Sequence, residues 1–260
     1  MSLDINHILN DWPYEPGQVT ARRIRGADGR EKIQLRLDLG LLQMEVTGRP
    51  DGHRPHGFET MLDYYESQLQ RHSEDGAKGT FELDEQACEL LRAESLMFYH
   101  RYLAEFILED FAAVERDTMR NLRLMDFCQA YAADESDRMM LEQYRPYVLM
   151  MCARARARLD MADNRPKSAL SALRTGMEKI VVFYRKYGQE ELASEGSEVV
   201  ILRGMVKEIE GQIPVDPLQR LRKDLAKAVK EERYEEAAKL RDQLNKASQA
   251  HQEPQDHPEQ

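Results

Sequence analysis

The apolar residues of this chain change period near residue 80, and that change restricts the fold more than any other feature. From Val19 to Thr47 apolar and polar residues alternate, with Ile33, Leu35, Leu37 and Leu39 set against Gln34, Arg36 and Asp38. A period of two puts the apolar set on one face of a strand and leaves the other face to solvent. Gly26-Ala27-Asp28-Gly29 and Asp38-Leu39-Gly40 supply two reversals, so the segment predicts two or three antiparallel strands ending in Gln43-Met44-Glu45-Val46. Gly48 to Gly57 is dense in Gly, Pro and Asp and reads as a loop feeding a helix from Phe58 to about Arg71, with Ser73 to Gly79 as a linker.

Beyond Leu83 the spacing becomes helical. Leu83 or Asp84 opens a helix that carries Ala87, Leu90, Leu91, Glu94 and Phe98, and four helices fit between Asp84 and Tyr187, with breaks near Asp110, Ala133 and Asp163. Pro166 fits the first turn of the last of them, where its missing N–H costs nothing, and Pro146 is expected to kink or restart the third. The run from Asp110 to Arg120 can be laid on that from Asn164 to Arg174, 54 residues later. This echo predicts either a degenerate, tetratricopeptide-like pair of helical hairpins or a compact bundle. Ser197 to Glu210 reads as a further helix, capped by Ser197, with Val199, Leu202, Val206 and Ile209 on one face.

Composition removes several classes. No apolar stretch approaches the roughly 20 residues a membrane helix needs, and Val148 to Ala153 is cut off by Arg154, Arg156 and Arg158. Met1 to Asn10 lacks the pattern of an export signal, so a cytoplasmic protein is expected. Cys88, Cys128 and Cys152 match neither a disulfide framework nor a paired metal motif and read as reduced core residues. The net charge of −10 argues against nucleic-acid binding through a general field. No phosphate loop of the form GxxxxGK[ST] and no cofactor or metal motif is found.

The remaining candidates for chemistry have plainer readings. His53-Arg54-Pro55-His56 could hold a metal ion and so defines an alternative class, a metal protein or enzyme, but Pro55 prevents helical presentation and no third ligand is near in sequence. Glu59, Asp63 and Glu66, like Glu105, Glu109 and Asp110, read as solvated faces rather than acid/base pairs. Met139, Met140, Met150 and Met151 read as core filling. Arg154, Arg156 and Arg158 spread around their helix and, with Arg145 and Arg165, are expected to pair with the surplus acid.

The C-terminal stretch is the most informative. Asp216-Pro217 is a strong helix opening. Leu218, Leu221, Leu225 and Val229 form a stripe, and after a break at Glu232-Arg233-Tyr234 a second helix carries Ala237, Leu240, Leu244 and Ala247, with Ala238 beside them. Two short helices closing face to face, a minimal coiled-coil pair, are predicted. This run, with the core Tyr234-Glu235-Glu236-Ala237-Ala238-Lys239-Leu240-Arg241-Asp242-Gln243-Leu244, resembles the UVR domain shared by the bacterial excision-repair proteins UvrB and UvrC. Tyr234 stands where that family often has Phe. The resemblance implies a role in joining proteins, because in the repair proteins this hairpin pairs with the hairpin of a partner. A similar element occurs in the activator of bacterial protein arginine kinase, which brings in regulated proteolysis as a second setting. The N-terminal run from Lys32 to Gly52 resembles that of bacterial proteins that also end in this hairpin.

Physics points the same way. About 35 residues bury too small a share of their surface to be secure alone, so the hairpin must meet its own helical body or a second chain. The expected contact residues are Leu218, Leu221, Leu225, Tyr234, Ala237, Ala238, Leu240 and Leu244, with Arg241 and Asp242 at the rim. Nine basic and seven acidic residues give the hairpin +2 against −12 for the remainder, which suits an acidic protein better than DNA. The chain therefore reads as mainly α. It has an N-terminal β/α element (1–80), a helical body (81–190), a connecting helix (191–213), a UVR-like hairpin (214–249) and a disordered tail (250–260). The expected function is a non-catalytic adaptor without cofactor or metal, its partner a second copy or another UVR-containing protein; the alternatives are a metal protein or enzyme using the His53/His56 loop and a nucleic-acid-associated repair factor.

Overall fold

The alternating segment forms the three-stranded antiparallel sheet that its pattern predicts. In the computed structural model, which describes residues 4–74, 79–213 and 217–250 and only the backbone of 217–220 and 246–250, the strands are β1 (Thr20–Arg25), β2 (Glu31–Arg36) and β3 (Leu41–Glu45). Their spatial order is β1-β2-β3, with Ile33 opposite Arg23 and Met44, and Leu35 opposite Ala21 and Leu42. Ile33, Leu35 and Met44 are buried in one cluster with Ala104, so the apolar face lies on the helix that carries Ala104.

Two expectations about this sheet need correction. Leu37 and Leu39 do not extend the buried face, and Leu39 is 90% exposed. The chain reverses there, with the Leu37 N–H donating to the Gly40 carbonyl at 2.9 Å, and the middle of a two-residue turn points away from both strands. The second face of β2 is also buried instead of solvated, because the segment around Trp12 and Tyr14 lies over it. Arg22 Nε donates to Gln34 Oε1 (2.8 Å) and Gln34 Nε2 to Gln43 Oε1 (2.9 Å), which ties all three strands through polar side chains. Arg22 stacks over the Trp12 ring at 4.3 Å, and Arg36 donates to the Trp12 carbonyl at 2.9 Å. Buried polar groups satisfied in this way hold register as firmly as an apolar face.

The helices follow in order: α1 (Asn6–Leu9), α2 (Met61–Glu74), α3 (Glu85–Ile107), α4 (Phe111–Tyr131), α5 (Glu135–Met140), α6 (Arg145–Ala162), α7 (Pro166–Lys186), α8 (Glu190–Glu195), α9 (Ser197–Gln212), α10 (Pro217–Lys230) and α11 (Tyr234–Ala250). The breaks fall near Asp110, Ala133 and Asp163 as expected. Asp84 caps α3 by accepting from the Ala87 N–H at 2.8 Å, and Pro146 and Pro166 stand in the first turns of α6 and α7. Pro146 thus restarts a helix and does not kink one. Residues 75–78, in the expected linker, and 251–260, in the expected tail, lie outside the described residues. Ser197 is not the cap of α9: the Gly196 carbonyl accepts the first bond, from the Val200 N–H (3.0 Å), while the Ser197 hydroxyl bonds Glu198 (3.0 Å). A single residue separates α8 from α9, so the capping position falls on Gly196.

The chain divides into two compact units, Met1–Ile209 and Glu210–Gln260. In the first, α3 packs on α4, α4 on α6, α6 on α7 and α7 on α8, so the helices pack in chain order. The core between α2, α3, α4 and the start of α6 includes Leu62, Leu91, Leu124, Met125 and Val148, and it takes in Cys88 and Cys128 as free thiols. Burial pushes both thiols up, to about 11 and about 12, so neither is a ready nucleophile at neutral pH. Close approach of α6 and α7 depends on small residues. A Cβ on Gly176 would sit 2.4 Å from that of Ala153, inside contact distance.

Candidate functional site

The second unit is the predicted hairpin, with α10 packed against α11. Its turn is compact. Glu232 takes a left-handed conformation (φ 56°), the Arg233 N–H donates to the Ala228 carbonyl at 2.8 Å, and the Glu232 N–H donates to that of Val229 at 3.1 Å. This pair of bonds satisfies the last carbonyls of α10 before α11 begins. Arg233 then pairs with Glu231 (2.6 Å) and with Glu236, and its carbonyl accepts from the Ala237 N–H (2.9 Å). Donation to Glu231 raises the pKa of the Arg233 guanidinium, as expected for a cation bonded to a carboxylate.

Near the turn the seam between the helices is made of alanines. Ala228 is fully buried and Ala237 is 7% exposed, and their small side chains let the two backbones approach. Val229, expected on the inner stripe, is instead 53% exposed, because the stripe passes from Leu225 to Ala228, three residues on instead of four. Leu221, Leu225, Leu240 and Leu244 are only half-buried. Ala238, Arg241 and Asp242 are exposed, and Arg241 meets Asp242 at a loose 3.4 Å. Tyr234 is 68% exposed at the head of α11. The side chain of Leu218 and the expected cap Asp216 lie outside the described residues. Among the described contact candidates, Ala237 is buried in the hairpin, the four leucines are partly covered, and Tyr234, Ala238, Arg241 and Asp242 are open.

In the first unit Glu105 and Arg154 depart from the sequence reading, while other candidates follow it. His56 has its ring stacked on Tyr64 at 4.1 Å, and the His53 N–H donates to Asp51. Glu105 is not on a solvated face: it is fully buried in a charge network that sequence reasoning missed. Arg101, 1% exposed, grips both oxygens of Asp117 (2.6 and 2.9 Å) and donates to the carbonyls of Glu45 (3.0 Å) and Gly48 (2.8 Å). Arg116 joins Asp117 (2.8 Å) to Glu105 (2.9 Å). Desolvation lifts the Glu105 carboxyl well above the ordinary carboxylate range, and its second oxygen has no partner. Glu94, also fully buried, accepts from the Met61 and Leu62 N–H groups (2.7 and 3.3 Å) at the start of α2 and pairs with Arg120. These groups hold the sheet, the loop after β3 and α2 against α3 and α4. The available signal was the stripe itself, since Leu91, Glu94, Phe98, Arg101 and Glu105 recur at steps of three and four on one helix face.

Of the basic cluster, Arg145 pairs with Glu142 (2.5 Å) and Asp126 (2.7 Å), Arg165 with Asp160 (2.7 Å), and Arg156 with Glu115 (3.3 Å). Arg154 does not follow the expected pairing with acid, and lies over the Phe106 ring at 4.3 Å. Asp63 and Glu66 both face Arg123, at 3.0 and 3.1 Å.

Comparison with known families matches residues 216–250 to the UVR domain, described as the UvrB/uvrC motif. No curated protein and no solved structure matches the chain.

Proposed function

We propose that this chain is an adaptor that joins proteins through its C-terminal hairpin and carries out no chemistry of its own. The observation that carries this reading is the state of the hairpin's apolar residues. Tyr234 stands 68% exposed on a motif-matching unit whose described leucines, Leu221, Leu225, Leu240 and Leu244, are only half-covered. A tyrosine presented in this way offers large contact area at low entropic cost, the property that makes aromatic residues the energetic centres of interfaces. Leu221, Leu225, Leu240 and Leu244 provide the apolar ground around it, and Arg241 and Asp242 the polar rim.

The partner is a second copy of the chain or another UVR-containing protein, in excision repair or in regulated proteolysis. The hairpin's +2 charge against −12 elsewhere favours an acidic protein surface over nucleic acid. A cytoplasmic setting accords with two buried free thiols and with the finding that no helix among the described residues is long and apolar enough to cross a membrane. The test is capture by the immobilised intact chain, by a chain ending at Ile213 and by Tyr234→Ala, with the bound proteins identified. Hairpin-bearing proteins held by the intact chain and lost from both variants are expected. The same proteins recovered on all three would contradict the proposal.

A further inference from the structure

A cavity of about 590 Å³ opens in the first unit between α3, α4, α6 and the start of α9, apart from the hairpin. Its volume lies in the range of small-molecule sites. Three tyrosines form much of its wall. The rings of Tyr99 and Tyr102 are 5.5 Å apart at 89°, and those of Tyr99 and Tyr147 6.1 Å apart at 58°. The first pair meets edge to face and the second is tilted, and together the three rings give the cavity an aromatic wall against which a further planar group can pack.

Two hydroxyls reach the cavity without a protein partner. Tyr102 is 1% exposed and Ser95 6% exposed, both line the space, and no hydrogen bond from the described residues reaches either hydroxyl. Neither oxygen is sealed from solvent, so both hydroxyls stand open to the cavity and can meet the polar edge of a molecule bound there. Burial drives the Tyr102 phenol far above its ordinary range, so it is a neutral donor at any working pH.

The rim carries one charge of each sign. Glu198 is fixed in place by accepting from the Tyr184 hydroxyl at 3.1 Å and from that of Ser197 at 3.0 Å, and it keeps its negative charge. Among the described residues Arg92 is held by a 3.7 Å ion pair with Glu89 and by the Met140 sulfur, a weak acceptor. Its guanidinium is thus the more loosely held of the two charges and can turn to a visitor's acidic group.

We propose that this cavity binds a small planar aromatic anion, its ring against Tyr99 and Tyr147, its polar edge bonded by Ser95 and Tyr102, and its acidic group met by Arg92. The site is built entirely within the helical body, so it stands or falls independently of the hairpin's role.

The test uses the full chain and 8-anilinonaphthalene-1-sulfonate, an aromatic anion whose fluorescence rises in an apolar site, with the uncharged N-phenyl-1-naphthylamine as the comparison probe. One-to-one binding of the anion is expected. Tyr102→Phe, Ser95→Ala and Arg92→Gln should each weaken it by about five- to tenfold, the effect of one lost hydrogen bond or exposed ion pair. Thermal unfolding should be unchanged, because none of the three side chains loses a strong protein partner. Arg92→Gln should leave binding of the uncharged probe unaltered. If Tyr102→Phe fails to fold, Ser95→Ala and Arg92→Gln decide the matter alone. Absence of one-to-one binding, or an affinity unmoved by all the variants that fold, would overturn the proposal; the second result would place the dye elsewhere, for instance on the hairpin leucines.

Discussion

Arg101 shows how much of this fold depends on single buried charges. Its guanidinium binds Asp117 of α4 with two bonds and two carbonyls at the end of β3 with another two. Arg101→Met should therefore cost about 3 kcal/mol, since it takes the two-bond partner from a buried carboxylate, leaving Asp117 only Arg116, and frees two carbonyls, and urea unfolding measures it. Glu105 makes a different prediction. Its folded-state pKa is raised above the ordinary 4.5 by burial, so the folded chain binds more protons than the unfolded one as pH rises from that value. Stability from this group is fully present below the unfolded value and declines as pH climbs through the raised one. Glu105→Gln should flatten that decline, as followed by melting temperature between about pH 4.5 and pH 8; an unchanged slope would assign the effect elsewhere. These roles were legible only in part. The spacing of Glu94, Arg101 and Glu105 put them on the buried face of α3, but which acid meets which base depends on α4 and on the loop after β3, contacts that no local pattern encodes.

At the scale of elements, helices end in one repeated manner. Glu109, Asn164, Gly188 and Glu232 all adopt left-handed backbone after a helix, and each is followed at once by the cap of the next. Bonds such as Asp110 N–H to the Glu105 carbonyl (2.9 Å) and Arg165 N–H to that of Asp160 (2.7 Å) close these ends. The structural echo thus pairs Glu109 with Asn164, 55 residues apart, one more than the sequence alignment of Asp110 with Asn164 suggested. Side-chain similarity misaligned it; backbone handedness sets the true register. Glu109 is exposed and pays the left-handed strain without a glycine, so Glu109→Gly should stabilise by about 0.5–1 kcal/mol in thermal unfolding. Gly176→Ala should do the reverse, costing about 1–3 kcal/mol by forcing α6 and α7 apart. Long, strongly periodic helices were readable in advance. The six-residue α5 was not, because a single turn and a half carries too little periodicity to register. Val229 was misplaced for a related reason: a stripe can step by three or four, and only packing against α11 selected Ala228.

The whole molecule divides its interactions between two units of unlike character. Residues 1–209 cover a core of aliphatic and aromatic side chains and satisfy most of their buried charges internally. Among its described residues the hairpin buries Ala228 and Ala237, keeps Leu221, Leu225, Leu240 and Leu244 half-covered and presents Tyr234 outward. Its leucine spacing made it legible as an element, and the motif it matches implied what such an element does. The partner was not legible, because a contact surface records the chemistry it needs and not the identity of what supplies it. At this scale Tyr234→Ala should weaken partner binding by at least about 2 kcal/mol, roughly thirtyfold, and leave the melting of the helical unit unchanged; titration calorimetry and thermal unfolding read the two effects separately. The most direct measurement is amide hydrogen exchange on the intact chain, dilute and single, and again with its captured partner. Amides of α10 and α11 should exchange far faster than those of α3 to α7 in the free chain and become protected on binding, with the helical unit unchanged. Protection of α10 and α11 equal to that of α3 to α7 in the dilute single chain, with no gain on binding, would contradict the account.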